Sequence, residues 1–359
     1  RNWNMVTKYK GKFEEGWTTD EEGNRYLVLV NKTEGVSHVR KTEGNRQLYY
    51  MSFTVKAGEQ VLVKVGNSYC DLRGAQRNIE QECPHWNFDQ VHRDLTRIWE
   101  KRLAAITVSG ATDRDKVKFY TSLYHASFLP SMFNDVDGRY PSFGGGKHIM
   151  HTDGVYYDGY SLWDTFRALH PLLSILYPQQ SGHMMQSLVD KYRQGGWLPI
   201  FPAWNSYTSE MIGDPCASLF ADAYIKGIRN FDVQTAYEAL LKNAYQQPAS
   251  FDDYKDGKGR RALVSYMKYG YIPLEDPVRE AFHQREQVSR TLEYAYADYC
   301  VARLAEALGH QAVADSLYAR SKNYRNVFDP RIGYVMGRHA DGSFITGKRP
   351  DQGQSFITE

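Results

Sequence analysis

Two carboxylates in this sequence stand where aromatic-rich loops run into helices, and a third lies beside aromatic side chains in a helix interior. Trp163 and Asp164 are adjacent in "GYSLWDTFRALHPLLSILYP". Asp214 closes "GGWLPIFPAWNSYTSEMIGDP", just before the next helical pattern, and Glu293 lies beside Tyr294 and Tyr296 in "SRTLEYAYADYC". A glycosidase uses these parts: one acid to protonate the leaving oxygen, one base or nucleophile, and flat faces against the sugar ring. Each residue also has an ordinary structural use. A carboxylate in a helix's first turn is favoured by the unpaired N–H groups and the helix dipole, so Asp164 and Asp214 read equally as caps. Glu293 reads equally as a buried hydrogen-bonding group, and Trp163, Trp197 and Trp204 as packing residues.

Other chemistries find little to work with. The sequence holds no Gly-rich phosphate loop and no G-x-S-x-G nucleophile elbow. The histidines His125, His148, His151, His170 and His183 form no paired zinc motif; His148 and His151 are loosely spaced loop residues. Lys and Arg number 44 against 42 Asp and Glu, with no long run of one sign, which argues against an electrostatic grip on nucleic acid or an anionic membrane. No apolar run reaches the roughly 18 residues of a membrane span, and no signal peptide is visible. The four cysteines lack metal-ligand spacing; Cys70 and Cys83 are open to pairing in an oxidising compartment, while Cys216 and Cys300 read as buried thiols.

Two kinds of element must position these groups. The first stretch reads as strands: "YLVLV", "QLYYMSFTV" and "QVLVKVG" are β-branched or aromatic and separated by turn residues, the pattern of an antiparallel sandwich. The period changes at Asn87, which caps a helix whose apolar stripe runs Phe88, Val91, Leu95, Ile98, Trp99 and Leu103. About seven further helices follow, including one with Asp214 as cap and Pro215 at its first position. Long loops rich in Gly, Trp and Tyr enter some of them, and loops of that length in a compact domain usually carry function. The expected division is residues 1–86 for the β-sandwich, 87–110 for a helical linker and 111–359 for a helical catalytic domain.

Taken together, these segments resemble glycoside hydrolase family 92, the calcium-dependent exo-α-mannosidases. The likeness runs in order from about Val61 to Glu359 through "FYTSLYHASFLPSMFNDVDGRY", the two loop segments quoted above, "FADAYIKGIRNFD" and "YIPLEDPVREAFHQREQVSRTLEYAYADYCVARLAEALG". It implies an N-terminal β-sandwich, a helical linker and an (α/α)6 barrel, which about seven helices would leave incomplete at its C-terminal end. It implies inverting release of mannose from α-mannosides, α-1,2 ends of N-glycans or mannan among them, with bound Ca2+. Its partner is then a mannose-containing oligosaccharide or glycoprotein glycan, and its location secreted, periplasmic or on the cell surface. By the SLWD match Asp164 contacts the sugar and Trp163 shapes the pocket; Met211 and Asp214 belong to a further wall. "DQGQSFITE" is similar to the lead-in to a Glu-Gly-Asn-Ala-Trp motif, so Glu359 is expected as general acid, with the general base and most calcium ligands outside this sequence. Another (α/α)6 carbohydrate enzyme, or a glycan-binding protein without catalysis, would share the helical frame and the aromatic loops.

Overall fold

The computed structural model describes residues 56–60, 62–276 and 283–357, together with the strands Asn4–Tyr9 (β1), Phe13–Thr19 (β2), Arg25–Asn31 (β3), Val36–Ser37 (β4) and Ser52–Phe53 (β5). The chain divides into two compact units, Arg1–Arg97 and Ile98–Glu359. That division falls inside the helix expected to link the domains.

Among the described residues, the first unit contains three antiparallel strand pairs. β2 pairs with β3, β4 with β5, and β1 with Val63–Ser68 (β6), in register from Asn4 opposite Ser68 to Tyr9 opposite Val63. "YLVLV" lies within β3 and "QVLVKVG" runs into β6, whereas of "QLYYMSFTV" only Ser52–Phe53 is among the described residues. Leu72–Glu82 forms a helix (α1) where none was expected. The Asp71 carboxylate caps it, accepting the Gly74 N–H at 2.6 Å. Gly66 of β6 lies against it: a Cβ there would come within 2.4 Å of the Ala75 carbonyl and 2.8 Å of the Ile79 Cβ. Cys70 and Cys83 flank α1, and a helix of 11 residues at about 1.5 Å each holds them roughly 16 Å apart, too far for a disulfide. The next helix, Phe88–Leu103 (α2), begins as expected, with the Gln90 N–H donated to the Asn87 side chain at 3.1 Å. Its apolar stripe stays largely at the surface, with Phe88, Leu95 and Ile98 all exposed.

The second unit is mainly helical. Asp113–His125 (α3) is capped by Thr112. Short antiparallel pairs follow: Ser131–Met132 (β7) with Tyr157–Asp158 (β10), and Arg139–Pro141 (β8) with Ile149–His151 (β9). Then come Leu162–Thr165 (α4), Leu169–Leu176 (α5), Pro178–Gly195 (α6), Cys216–Ile225 (α7) and Val233–Tyr245 (α8), the last capped by Asp232. Phe251–Lys255 (α9) and Leu263–Tyr269 (α10) are short and were not expected. Gln287–Ala307 (α11), Gln311–Arg320 (α12) and a 3₁₀ turn over Ser321–Val327 complete the helices, before the small ribbon Phe328–Asp329 (β11) and Tyr334–Val335 (β12).

The most extensive of four buried apolar clusters among the described residues brings together Leu188 from α6, Phe220 from α7, Leu240 from α8, Val301 and Leu304 from α11 and Leu317 from α12. Burying each such side chain contributes about 1.5–3 kcal/mol. α11 is buried on most of its faces, which is why its sequence shows no clean polar side. Cys216 and Cys300 are buried here as expected, and burial pushes the Cys300 thiol up to about 12. The α6 backbone comes so close to Asn230 that a Cβ on Gly182 would lie 1.9 Å from the Asn230 Oδ1. No helix among the described residues is long and apolar enough to cross a membrane.

Candidate active site

α4 is a single turn whose entrance is strained. Ser161 has φ 46°, in the left-handed region that costs a non-glycine residue about 1–2 kcal/mol and gathers at functional sites. The bend lets the Ser161 hydroxyl donate to the Asp164 carboxylate at 2.5 Å. No side chain caps α4, so Asp164 is not the cap its position suggested; its carboxylate is exposed beside the half-buried Trp163. The Trp163 indole Nε1 is buried and has no hydrogen-bond partner among the described residues. Leaving such a donor unsatisfied costs about 1–3 kcal/mol.

Arg167, one turn beyond Trp163, joins α4 to the rest of the molecule. Its guanidinium lies 5.1 Å from the Trp163 ring centre and 4.5 Å from that of Phe166. It donates to Glu293 Oε1 of α11 at 3.0 Å. Glu293 is mostly buried while Arg167 is half exposed, so the pair is open to solvent from the arginine side only. Burial raises the Glu293 carboxyl above the usual carboxylate range, against the downward pull of Arg167. Phe166 and Tyr296 lie with their ring centres 5.9 Å apart, continuing the aromatic wall along α11.

The loop before α7 closes over Glu293 from the other side. Met211 has φ 59° and Gly213 φ 89°. A Cβ on Gly213 would come to 3.3 Å from Glu293 Oε2 and 3.4 Å from Glu293 Cβ, so glycine is needed both for the backbone turn and for the close approach.

Asp214 does something other than cap. The N-terminal position of α7 is held by Pro215 without a side-chain cap, because the Asp214 carboxylate turns inward. It accepts Arg260 Nε at 2.9 Å and Asn243 Nδ2 at 3.2 Å and is almost wholly buried. Arg260 goes on to donate to Asp298 at 2.5 Å, and Asp298 also accepts from Arg320 and Tyr266. Burial alone would lower the Arg260 pKa, but Asp298 and Asp214 outweigh it and raise it, so the guanidinium stays charged. This network fixes the end of the Met211–Asp214 loop.

Of the expected site residues, Trp163 and Asp164 share one turn, and Trp163 reaches the Met211–Asp214 loop through Arg167 and Glu293. Glu359 lies outside the described residues. The residues just before it are strapped to the start of α11: the Val288 N–H donates to the Phe356 carbonyl at 3.0 Å and the Glu286 N–H to the Ser355 carbonyl at 3.0 Å. Sequence reasoning passed over Arg167, and its only local signal is a cation four positions after a tryptophan. His148 and His151 are exposed, and no group of three or more His, Cys, Asp or Glu among the described residues stands where it could hold a metal ion.

The sequence pattern of the glycosyl hydrolase family 92 catalytic domain matches residues 74–359. The chain is similar to a family GH92 α-mannosidase from Bacteroides thetaiotaomicron, at 30% identity and a TM-score of 0.81 over 99% of this chain and 45% of that one. A family GH92 inverting mannosidase from the same organism matches at 28% identity and a TM-score of 0.79, over 99% of this chain and 48% of that one. An uncharacterized secreted glycosidase from Arthroderma benhamiae is 28% identical over 307 residues, 83% of this chain and 33% of its own length. The chain therefore spans less than half the length of the relatives it matches. With most of its length matched to that one catalytic domain, the chain belongs to glycosyl hydrolase family 92.

Proposed function

We propose that this chain is part of an exo-acting α-mannosidase that releases terminal α-linked mannose, α-1,2 ends in particular, from N-glycans or mannan with inversion. The observation that carries the reading is the Trp163–Arg167–Glu293 cluster beside Gly213, where an aromatic wall, an unpartnered indole N–H and a carboxylate–guanidinium pair converge. In this reading Trp163 packs on the sugar face, and Asp164 and Arg167 bind hydroxyls. Met211 and Gly213 form the opposite wall, and Asp214 holds that wall in place from behind. Glu359 donates the proton to the departing oxygen. The strap that joins Ser355 and Phe356 to the first turn of α11 supports this role, since α11 also carries Glu293.

Inversion requires a second carboxyl roughly 6.5–9.5 Å from the acid, with room for water between them. One relative has been studied with mannoimidazole and another is an inverting mannosidase, which supports both the sugar and the stereochemistry. The reading extends to an N-terminal β-sandwich preceding an (α/α)6 barrel, and to a secreted protein, as the name of the fungal relative supports. Calcium dependence rests on the family resemblance, because the described residues offer no ligand cluster of their own.

The test is the protein incubated with α-1,2-mannobiose and followed by proton NMR. The β-anomer of mannose should appear first, and Glu359→Gln should lower its rate by about a hundredfold or more. A chelator should lower the rate as well. Binding of the disaccharide without release would replace the enzyme with a glycan-binding protein. Undiminished turnover by Glu359→Gln would remove the acid assignment.

A further inference from the structure

The hairpin Ala203–Ser206 is built to hold a tryptophan out in solvent. Ala203 and Ser206 exchange backbone hydrogen bonds at 3.0 and 3.2 Å, and the two residues between them, Trp204 and Asn205, have φ 51° and 54°. A two-residue turn of this kind needs positive φ at both places and is normally made by Asn-Gly or Gly-Gly. A tryptophan there is strained.

The neighbouring Asn205 explains how the strain is borne. It is buried, and its N–H donates to Asp158 at 2.6 Å while its Nδ2 donates to the Pro141 carbonyl at 2.6 Å. Its Oδ1 accepts the Tyr156 hydroxyl at 2.7 Å, and its carbonyl accepts the Gly144 N–H at 3.0 Å. Under it lies a fully buried ion pair, Lys191 to Asp158 at 3.0 Å, with Lys191 also donating to the Tyr156 hydroxyl. Tyr156 is stacked on Tyr140 at 3.8 Å.

So rigid an anchor leaves Trp204 74% exposed, so the indole packs little of its surface against this chain. The same turn runs into a polar cleft of about 370 Å³ whose lining includes Phe143, Gly144, Gln194, Ser206, Tyr207 and Lys258. Gly144 leaves its floor open, since a Cβ there would meet nothing within 4 Å. An exposed, pre-oriented indole beside a cleft of hydroxyl, amide and ammonium groups, with the Asp256 carboxylate also in its lining, matches one class of ligand. A pyranose ring offers an apolar C–H face for the indole and hydroxyls for the cleft.

We infer that Trp204 and the adjoining cleft form a subsite for a sugar of the bound glycan other than the one released. This rests on the mannosidase reading for the identity of the glycan, but not for the existence of the platform.

The experiment compares Trp204→Ala and Trp204→Phe with the unaltered protein on two substrates. α-Mannosyl fluoride has a single sugar ring, and α-mannotriose carries further rings beyond the one released. The alanine variant should raise KM for the trisaccharide about tenfold, leave turnover of the fluoride within about twofold, and be largely rescued by phenylalanine. Equal losses on both substrates, or no loss on either, would overturn the subsite. If the unaltered protein released mannose from neither substrate, the mannosidase reading would fall. The platform would then be read from mannotriose titration of the tryptophan fluorescence: affinity lost in Trp204→Ala upholds it, and affinity unchanged ends it.

Discussion

Two acidic residues flank one loop and are treated in opposite ways. Asp214, at the loop's end, is buried with both oxygens engaged, one by Arg260 and one by Asn243, and Arg260 bridges it to Asp298. Glu293, beneath Gly213, has one cation on one oxygen, and that cation is half exposed. Burial raises the Glu293 pKa, whereas the pKa of the arginine serving Asp214 rises because two carboxylates surround it. The chemical difference is one of completeness. With a partner on each oxygen, Asp214 holds the frame, whereas Glu293, engaged on one oxygen only, keeps acceptor capacity beside the Arg167–Trp163 pair.

Breaking each pair in turn separates the two roles. Arg260→Met leaves the buried Asp214 carboxylate without its cation, although Asp298 keeps Arg320, and should destabilise the protein by about 3–5 kcal/mol in urea unfolding. A loss under about 1 kcal/mol would mean that the network is not the frame described here. An intermediate case is His170, which is buried against Tyr160 without a counter-charge, its Nε2 lacking a partner among the described residues. Burial lowers its pKa to about 4. The unfolded chain, with an ordinary value near 6.5, therefore binds the extra proton first. The contribution is complete above about pH 6.5 and is lost as pH falls toward 4, amounting to about 3 kcal/mol. Unfolding measured at pH 7 and pH 4.5 should show that extra loss in the unaltered protein and not in His170→Phe; parallel slopes would contradict it. Arg167→Met should have the smallest effect on stability, about 1 kcal/mol, because the cation is half exposed and the uncovered Glu293 carboxyl, already raised by burial, can take up a proton. Yet it should lower mannose release by at least tenfold. Release that survives while stability collapses would reverse the comparison.

Local signals that act over three or four residues were legible in the sequence. Asn87 caps α2, Asp232 caps α8 through the Thr235 N–H at 3.0 Å, and Gly309 follows α11 with φ 84°. α1 was missed because its apolar residues Leu72, Ala75 and Ile79 are thinly set among Arg, Gln and Asn. α9 and α10 were missed because they are short and interrupted by "DGKGRR". Asp214 misled for a different reason. Asp before Pro-Cys has the local form of a cap, but Arg260, 46 positions later, competes for the carboxylate with a full charge. The site was half legible for the same reason. Trp163 and Asp164 announce themselves as neighbours, while the Arg167–Glu293 pair spans 126 positions and exists only once α11 is packed.

Gly182 carries a consequence beyond its own contact. α6 docks on Asn230 at a spacing that only a hydrogen atom fills. Lys191, the cation beneath the tryptophan hairpin, lies nine residues further along the same rod, about 13 Å away at 1.5 Å per residue. A methyl at 182 would first displace the exposed Asn230 side chain and its hydrogen bond to the Gln179 carbonyl, and only what that side chain cannot yield would be passed along α6 toward the ammonium. Position 182 is thus a probe of how stiffly α6 carries a displacement from Asn230 to Lys191.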